Sequence, residues 1–343
     1  MTFISKTQRD FVSVLMPVKN GAAYLREAMD SLLSQTYTEF EVIAVDHAST
    51  DDSASILKEY SLKDGRVDVF RFGGESFADC LNFGIKNCRG EFIARMDADD
   101  VCRPERLALQ IEYLDKNSDV GIVGSAVELF GNNGNSVREG YRRYGKWINS
   151  LLAPSDIERE IFVESPMPHP SVMIRREILC GRLGGYRDFD GPEDYDLWLR
   201  ARFAGIKMAK LAQPLLRWRD CPSRLSRRSG RYSRKNFHKL RANYLAKLAN
   251  GKKVVIQGAG TTGRTLGRYL KKEGANITAY IDINPRRIGG KKLGLPVYPA
   301  EAMDSFKGSL LISAVASWGA RDLIRGLAEK AGFTEGVDFY CAS

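Results

Sequence analysis

The chain has 343 residues, of which 43% are hydrophobic and 27% are charged, and these proportions exclude a disordered, collagen-like or disulfide-stapled protein. At ~100–200 residues per domain, the length predicts two or three domains. Lys and Arg number 52 against 42 Asp and Glu, so the net charge is +10, which predicts attraction to nucleic acid, a lipid surface or a phosphorylated small molecule.

Short apolar strands alternate with amphipathic helices from the start of the chain. Strands are predicted at 11–18, 40–45, 67–72 and 92–96, and helices at 22–34, 53–60, 77–87 and from Pro104 onward. This alternation predicts a mostly parallel sheet with helices on both faces. Such sheets bind their ligands beyond the carboxyl ends of the strands, and that is where the acidic residues of this region lie.

Two acidic residues after the fourth strand are candidate metal ligands. Asp97 and Asp99 are two apart, so in extended chain both side chains can point to one side. Mg²⁺ or Mn²⁺ is typically held by one or two carboxylates together with substrate phosphates, where it acts as a Lewis acid. The alternative is a solvated acidic turn that caps the helix beginning near Pro104.

A second acidic group opens a helix that is predicted to start near Pro192. Its first acids are Glu193 and Asp194, and a carboxylate in this position can accept the proton of an attacking hydroxyl. The alternative is that these acids only complement the helix dipole. Upstream, the two prolines that flank His169 predict an extended loop followed by a short strand, in which the histidine is either structural or catalytic.

Taken in order, these segments resemble the family 2 glycosyltransferases of the GT-A fold. The motifs are VSVLMP at 12–17, LSQTY at 33–37, FEVIAVD at 40–46, STD at 49–51, GEFIARMDADD at 90–100, PERL at 104–107, HPS at 169–171 and ED at 193–194. The resemblance covers residues 11–230. It implies a mixed, mostly parallel α/β sheet with helices on both faces, and direct displacement at the anomeric carbon with inversion.

The resemblance also implies a role for each site residue. Asp194 would be the base that deprotonates the acceptor hydroxyl, with Glu193 beside it. Asp97 and Asp99 would hold Mn²⁺ or Mg²⁺ on the donor diphosphate. The residues implied to contact the donor nucleotide are Pro17, Val18, Asp46, His47, Arg95, Asp97 and Arg219. The acceptor would lie near His169 and Trp198.

Two positions depart from the family pattern. The family usually has two consecutive acids after the second strand, and His47 takes the second position here. A neutral imidazole does not replace a carboxylate that accepts from the uracil N–H, so uridine is only the default base. Many relatives carry Arg-x-His after the catalytic helix, where this chain reads RWRD at 217–220. Either Arg219 takes the diphosphate-facing role, or the loop does something else.

Residues 217–250 form a basic connector that carries much of the excess charge. Its cations up to residue 241 are Arg217, Arg219, Arg224, Arg227, Arg228, Arg231, Arg234, Lys235, Lys239 and Arg241, against Asp220 alone. We expect a helix at 237–248 and a lid over the anionic donor. Peripheral contact with an anionic membrane, where a lipid-linked acceptor would be presented, is the second interpretation. Nucleic acid is the third and is not expected, because no recognised binding module accompanies the charge.

The last part of the chain predicts a Rossmann-like unit. The strand at 252–257 runs directly into Gly258, Gly260 and Gly263, and Asp282 lies nineteen residues beyond Gly263 in the next strand. The glycines let a phosphate approach a helix N-terminus, and an acid at that spacing contacts a ribose. The unit resembles those of dehydrogenases and of some sugar-modifying acyltransferases. A nucleotide ligand, an NAD(P) ligand and a purely structural role all stay open.

The cysteines and the N-terminus bear on the compartment. None of the six cysteines forms a C-x-x-C pair and there are three histidines, so a structural zinc site is not expected. Scattered single cysteines favour a reducing compartment. The polar start MTFISKTQRD does not have the form of a signal peptide, and no run of ~18 apolar residues predicts a membrane span. We expect a cytoplasmic protein, peripheral at the inner face of the membrane if the connector contacts lipid.

The sequence therefore predicts a GT-A domain at 1–216, the basic connector at 217–250 and a Rossmann-like nucleotide-binding domain at 251–343. The predicted reaction is metal-dependent transfer from a nucleotide sugar, by default a UDP-sugar, to a saccharide or lipid-linked saccharide in bacterial surface polysaccharide or glycan assembly. The alternatives are an NAD(P)-dependent modifier of nucleotide sugars and a non-catalytic nucleotide-sugar-binding protein. The sequence makes no prediction of the sugar, the linkage or the oligomeric state.

Overall fold

The computed structural model describes residues 8–131, 137–221, 224–317 and 319–343. The chain divides into two compact units. The first unit comprises Met1–Ile157, Pro166–Phe189 and Glu193–Arg228, and the second comprises Glu158–Ser165, Asp190–Pro192 and Ser229–Ser343. The basic connector predicted at 217–250 is therefore divided between the two units after residue 228.

Strands and helices alternate in the first unit, as the sequence predicts. The strands are β1 (Gln8–Val18), β2 (Phe40–Asp46), β3 (Val67–Arg71), β4 (Gly90–Arg95), β5 (Val101–Cys102), β6 (Val120–Gly131), β7 (Met173–Arg175) and β8 (Lys207–Asp220). The helices are α1 (Ala22–Leu33), α2 (Ser53–Lys63), α3 (Phe77–Asn87), α4 (Arg106–Lys116), α5 (Glu139–Ser150), α6 (Pro154–Glu160), α7 (Glu193–Phe203) and α8 (Leu225–Arg228).

These strands form one mixed sheet in the order β3-β2-β1-β4-β7-β6-β8-β5. β3, β2, β1 and β4 run parallel, β7 is antiparallel to both of its neighbours, and β6 and β8 are parallel. Val14 of β1 pairs with Val42 on one side and Ala94 on the other, so β1, β2 and β4 end at the same edge. The predicted mixed, mostly parallel sheet is confirmed, and its carboxyl edge gathers the residues of the candidate site.

Helix α1 illustrates how the sequence pattern builds the core of this unit. Leu25, Ala28, Met29 and Leu32 recur at positions i, i+3, i+4 and i+7 and are fully buried. They form one apolar face of the helix, while every residue of β2 is buried as well. Truncating a core leucine such as Leu25 to Ala removes about 2–5 kcal/mol of stability.

The second unit is a smaller α/β fold around its own sheet. Its strands are β9 (Lys253–Gln257), β10 (Asn276–Asp282), β11 (Lys291–Lys292), β12 (Leu295–Pro299), β13 (Leu310–Ser313) and β14 (Phe339–Cys341), and its helices are α9 (Arg234–Ala249), α10 (Thr261–Lys272) and α11 (Ala320–Lys330). The strand order is β11-β12-β10-β9-β13-β14, and all pairs except β11–β12 are parallel. The central strand β9 therefore delivers the glycine-rich turn to the carboxyl edge of the sheet, as the Rossmann-like prediction requires.

Residues 158–165 belong to the second unit through buried ionic and main-chain contacts. Glu160 is 4% exposed and accepts from Arg321 at 2.8 Å and from Arg325 at 2.6 Å. Arg241 donates to the carbonyls of Val163 and Ala342, both at 2.7 Å. No local sequence pattern predicts this arrangement, because the paired residues are 161 and 165 positions apart in the chain.

Within the described ranges, no helix has both the length and the apolar composition that crossing a membrane requires.

Candidate active site

Three carboxylates converge just beyond the end of β4. Asp97, Asp99 and Asp100 each place an oxygen within 4.8 Å of the others. The predicted extended geometry is wrong, because residues 98 and 99 form a turn in which the Asp100 N–H approaches the Asp97 carbonyl at 3.4 Å. The turn replaces the two-residue spacing of a strand and brings in Asp100, which the sequence analysis did not single out as a ligand.

Protein contacts hold the carboxylates of Asp97 and Asp100 and the main chain of Asp99 in place. Arg95 is 2% exposed and donates from Nη2 to Asp97 Oδ1 at 2.6 Å. The Arg219 N–H donates to Asp100 Oδ1 at 2.8 Å, and Arg219 Nε donates to the Asp99 carbonyl at 2.7 Å. Asp100 is 1% exposed, and its Oδ2 has no hydrogen-bond partner in the described part of the chain. A bound cation is one way to satisfy such a buried oxygen.

Without a cation, ionising these neighbouring buried carboxylates costs free energy. Burial, followed by the Asp97 carboxylate, raises the pKa of Asp99. Burial, followed by the charges of Asp99 and Asp97, raises the pKa of Asp100 well above its usual value. A divalent cation would remove this repulsion, and an all-oxygen donor set suits Mg²⁺ or Mn²⁺. The residues present therefore fit the expected metal.

Arg224 is a partly buried cation whose charge acts on all three carboxylates: burial lowers its pKa, but Tyr141 and then Asp100, Asp99 and Asp97 raise it. Its guanidinium donates to Tyr141 Oη and to the Arg219 carbonyl, the latter at 3.1 Å. It also lies over the Trp218 ring at 4.5 Å. These contacts hold its charge beside the cluster, which partly offsets the carboxylates.

Helix α4 supports this turn from within the core. Arg106 is fully buried and donates to the Arg95 carbonyl at 2.7 Å. One turn later, Gln110 donates to the Ser171 carbonyl at 2.8 Å. The motif PERL at 104–107 thus supplies a buried donor that connects the end of β4 to the segment that carries His169.

Two of the predicted nucleotide-contacting residues, Asp46 and His47, lie at the end of β2. Asp46 is 2% exposed; its Oδ1 accepts from the Ser49 N–H at 3.0 Å, while Oδ2 has no partner within the described ranges. The His47 N–H donates to the Val18 carbonyl at 2.7 Å. Both Pro17 and Val18 are buried at the end of the neighbouring β1. The structure therefore brings these four residues to one edge, beside the carboxylate turn.

His47 is held as a neutral imidazole. Its Nε2 lies 2.7 Å from the Gly74 carbonyl, which fixes that nitrogen as a donor, and its ring meets Phe72 edge-on at 5.6 Å. Burial, with a smaller contribution from Lys19, lowers the pKa of His47. The residue that replaces the usual family acid is therefore a neutral histidine whose Nε2 already donates to the Gly74 carbonyl.

Glu193 and Asp194 open helix α7, as predicted. Glu193 is 2% exposed and Asp194 is partly exposed, with its Oδ1 accepting from the Tyr195 N–H at 2.7 Å. Burial, and then the Glu193 carboxylate, raises the pKa of Asp194 to about 8, with a smaller contribution from Asp97. A carboxylate that titrates near neutrality is suited to general-base work, and the influence of Asp97 puts both acids in one electrostatic site.

The segment around His169 is a turn of 3-10 helix rather than the predicted extended loop. The fixed φ of Pro170 suits such a turn, and the Ser171 N–H and Oγ both donate to the Pro168 carbonyl, at 2.9 and 2.8 Å. His169 Nε2 lies 2.7 Å from Tyr186 Oη, and its ring meets Trp198 edge-on at 5.9 Å. Burial, and then Arg95, lowers the pKa of His169 well below its usual value.

Tyr186 contacts His169 in the candidate site, and no sequence motif predicted it. Asn82 holds its main chain on both sides, accepting from the Tyr186 N–H and donating to its carbonyl, both at 2.8 Å. The preceding residues, Gly184 and Gly185, have φ values of +68° and +78°, which glycine adopts readily. This glycine pair before an aromatic residue is the only sequence signal that could have indicated the position.

Two predicted residues have side chains enclosed by protein. Trp198 is fully buried behind His169, so it supports that ring and meets no solvent. The Arg219 guanidinium forms an ion pair with Glu27 and lies over the Tyr24 ring at 4.3 Å and the Phe130 ring at 4.4 Å. With these contacts, Arg219 positions the carboxylate turn through its N–H and Nε.

The four predicted residues of the second unit form a separate turn after β9. Gly258 has φ +101°, and a Cβ on Gly263 would lie 1.7 Å from the Gly258 carbonyl oxygen, so both positions require glycine. Gly260 is the N-cap residue of α10 and offers no side-chain cap. Asp282 accepts from the Ala259 N–H at 2.7 Å and the Asn284 N–H at 2.8 Å. The aspartate thus also braces the turn itself.

Comparisons with known proteins show which families the two parts of the chain resemble. The sequence model described as "Glycosyl transferase family 2" matches residues 13–181, and the one described as "CoA binding domain" matches residues 250–334. The O-antigen biosynthesis glycosyltransferase WbnJ of Escherichia coli is 34% identical over 216 residues, which are 61% of this chain and 80% of that protein.

A second relative and one solved structure extend the comparison. The UDP-Gal:alpha-D-GlcNAc-diphosphoundecaprenol beta-1,3-galactosyltransferase of Escherichia coli is 30% identical over 243 residues, 68% of this chain and 85% of that protein. The crystal structure of S. aureus TarS 1-349 in complex with UDP-GlcNAc superposes with a TM-score of 0.56 at 20% identity, over 76% of this chain and 71% of that one. At this identity the likeness shows the GT-A fold alone.

Proposed function

The chain belongs to glycosyltransferase family 2, and on that premise we propose that it transfers a sugar from a nucleotide-sugar donor to a hydroxyl acceptor, with inversion and with a divalent cation. The observation that carries this proposal is the convergence of Asp97, Asp99 and Asp100 within 4.8 Å, in electrostatic reach of Asp194. One cluster has the donor set of a hard cation, and the other has a carboxylate suited to accept a proton.

The donor would bind at the carboxyl edge of β1, β2 and β4. Asp46 Oδ2 is buried without a partner among the described residues, so it is available to a donor group of the nucleoside. Asp97 and Asp99 would hold Mn²⁺ or Mg²⁺, with Asp100 behind them. When bound, the cation neutralises the diphosphate and so makes it a better leaving group. Arg95 and Arg219 would act by fixing the carboxylates, through their bonds to Asp97, Asp99 and Asp100.

The acceptor would meet Asp194 from the other side of the site. Asp194 would take the proton of the acceptor hydroxyl, and Glu193, by raising the pKa of Asp194, would keep the base near neutrality. Because inversion is a single displacement, no covalent intermediate forms on the protein. The neutral His169, fixed by Tyr186 and backed by Trp198, would border the acceptor.

The names of the relatives support a more specific proposal for the donor and the acceptor. One acts in O-antigen biosynthesis, and the other, by its name, uses UDP-Gal and a diphosphoundecaprenol-linked GlcNAc. We therefore extend the proposal to a UDP-sugar donor and a lipid-linked saccharide acceptor in surface polysaccharide assembly. A cytoplasmic enzyme working on such an acceptor would meet an anionic leaflet, which the net charge of +10 favours. Co-sedimentation with vesicles of anionic or neutral lipid tests this peripheral contact.

The experiment that tests the transferase is a donor panel with and without metal. UDP-, GDP- and CDP-sugars are supplied with an undecaprenyl-diphosphate saccharide, and nucleoside diphosphate release is followed in Mn²⁺, Mg²⁺ or EDTA. Asp99→Asn should reduce transfer by about 10²–10³-fold. Asp119→Asn is the matched control, because Asp119 is an exposed partner of Lys207 at 2.5 Å. Full transfer in EDTA, or by Asp99→Asn, would overturn the proposed mechanism.

For the second unit we propose nucleotide binding at the turn formed by Gly258, Gly260 and Gly263. Its support is the match to a CoA-binding domain, together with the two close main-chain approaches that exclude side chains there. Titration calorimetry with UDP, ADP, CoA and NAD(P) on the full chain distinguishes the candidates. Binding that Gly260→Asp leaves unchanged would rule out this turn as the site.

A further inference from the structure

A buried cysteine lies against the carboxylate cluster. Cys221 follows β8 directly, is 1% exposed and is not in a disulfide. Its Sγ lies 3.5 Å from Asp99 Oδ2. The position results from the same strand that fixes the cluster, because Arg219, two residues earlier, donates to Asp99 and Asp100.

The separation of the two atoms is that of two ligands on one metal ion. With a metal–sulfur bond of about 2.3 Å and a metal–oxygen bond of about 2.1 Å, the two donor atoms are about 3.1 Å apart at a right angle and about 3.6 Å apart at a tetrahedral angle. The observed 3.5 Å falls in this interval. The sulfur therefore stands at ligand distance from an oxygen of the cluster without any movement of the chain.

An independent observation points to a cation at the same place. Asp100, which shares the cluster with Asp99, is 1% exposed, and its Oδ2 has no hydrogen-bond partner in the described residues. A carboxylate oxygen buried in this way is costly unless something positive meets it. The buried Asp100 oxygen belongs to the turn after β4, and the Cys221 sulfur follows β8, so two different elements bring donor atoms to this cluster.

We propose that Cys221 Sγ is a metal ligand of the carboxylate site, completing a mixed sulfur and oxygen donor set with Asp97 and Asp99. This inference rests on the proposed function, and it adds which cations the site prefers. A sulfur ligand favours Mn²⁺, Co²⁺, Zn²⁺ and Cd²⁺ progressively over Mg²⁺, which is bound almost entirely through oxygen. The enzyme therefore discriminates against Mg²⁺ through one thiol.

Cadmium tests the proposal directly, because a thiolate bound to Cd²⁺ gives an ultraviolet charge-transfer band. The protein is the metal-free full chain carrying Cys180→Ser, which removes the one cysteine that is partly exposed. We expect one equivalent of Cd²⁺ to produce the band, and Cys221→Ser to abolish it. Cys221→Ser should lower Cd²⁺ affinity about tenfold or more and change Mg²⁺ affinity less than about threefold.

Two controls keep the result interpretable. Asp99→Asn should also abolish the band, because the thiol and this carboxylate share the ion. Co²⁺ added to the chain with all its cysteines should show a sulfur-to-cobalt band that Asp99→Asn removes, which provides a second test if Cys221→Ser does not fold. A band that survives Cys221→Ser, or no band with an intact site, overturns the proposal.

Failure of this inference is separable from failure of the transferase proposal. If the thiol only donates a hydrogen bond to Asp99, the band is absent while Mg²⁺- or Mn²⁺-dependent sugar transfer persists. If the chain transfers no sugar, the band still forms, because it reports metal ligation and not activity.

Discussion

The Arg219 N–H donates to Asp100 Oδ1 at 2.8 Å, and this bond joins β8 to the turn after β4 across 119 residues of chain. Arg219 Nε adds a second bond to the carbonyl of Asp99 at 2.7 Å. The carboxylates are thus arranged by protein contacts before any cation arrives. A preformed ligand set binds its ion with little reorganisation, which is why the site is built on a strand end rather than on a long loop.

The raised pKa of Asp194 predicts a pH-dependent stability of the metal-free chain. The unfolded chain releases this proton near pH 3.8, whereas the folded chain holds it to about pH 8. The stability associated with the protonated carboxyl is therefore present below about pH 4 and is lost as pH rises to about 8. Asp194→Asn removes that loss.

Chemical denaturation of both proteins at several pH values measures the effect. The free energy of unfolding of Asp194→Asn minus that of the wild type should grow between about pH 4 and about pH 8, by at most about 1.4 kcal/mol per pH unit. A difference that stays constant over this interval would contradict the assignment.

We expect replacement of Arg224 to lower the stability of the protein and to raise its affinity for metal. Replacing Arg224 with Met leaves the three carboxylates without this nearby counter-charge, so we expect the metal-free protein to lose about 0.5–3 kcal/mol. Mn²⁺ should bind more tightly, because one repelling cation is gone. Thermal denaturation and calorimetric titration measure the two effects. Arg228→Met, a change at an exposed residue of the same segment, is the control and should alter neither. Weaker Mn²⁺ binding in Arg224→Met would refute this account.

We expect Tyr186 to affect turnover by positioning His169. Tyr186→Phe removes the partner of His169 Nε2 and leaves the Asn82 contacts to the main chain intact. We expect kcat to fall about tenfold, since His169 borders the acceptor, with the donor KM changed less than about twofold. Tyr60→Phe, which breaks a surface bond to Asp30, is the control. Steady-state kinetics with both substrates varied measures the split, and a changed donor KM with unchanged kcat would contradict it.

We expect the stability of the second unit to be sensitive to substitution of Gly263. A Cβ there would meet the Gly258 carbonyl oxygen at 1.7 Å, so Gly263→Ala must displace the main chain of the turn. We expect a loss of more than about 2 kcal/mol. Gly326→Ala, in α11 with open space around it, should stabilise by about 0.5–1 kcal/mol. Denaturant unfolding followed by far-ultraviolet circular dichroism measures the stability of both variants. Equal effects of Gly263→Ala and Gly326→Ala would contradict the close approach of Gly263 to the Gly258 carbonyl.

The sequence predicts well what local periodicity and strand ends determine. The order of β1, α1, β2 and β4 and the edge that holds Asp46 and Asp97 follow from strand–helix alternation. The glycine-rich turn after β9 follows from its spacing to Asp282. These features depend on neighbours in the chain, which a single sequence displays.

What could not be predicted depends on distant partners or on exact turn geometry. Asp100 joins the cluster only because the chain turns after Asp97, and Arg224 reaches it only because β8 returns beside β5. Tyr186 meets His169 through a glycine pair whose conformation no periodicity shows. Glu160 pairs with Arg321 and Arg325 of the second unit, although the chain before residue 158 belongs to the first unit.

We propose that Asp194 deprotonates the acceptor beside a cation-binding carboxylate turn. The most direct measurement is the initial rate of sugar transfer by Asp194→Asn at saturating donor, acceptor and Mn²⁺, with Mn²⁺ binding measured in the same preparation. We expect a rate lower by about 10²–10⁴-fold with Mn²⁺ binding retained. A rate within about threefold of the wild type would contradict it.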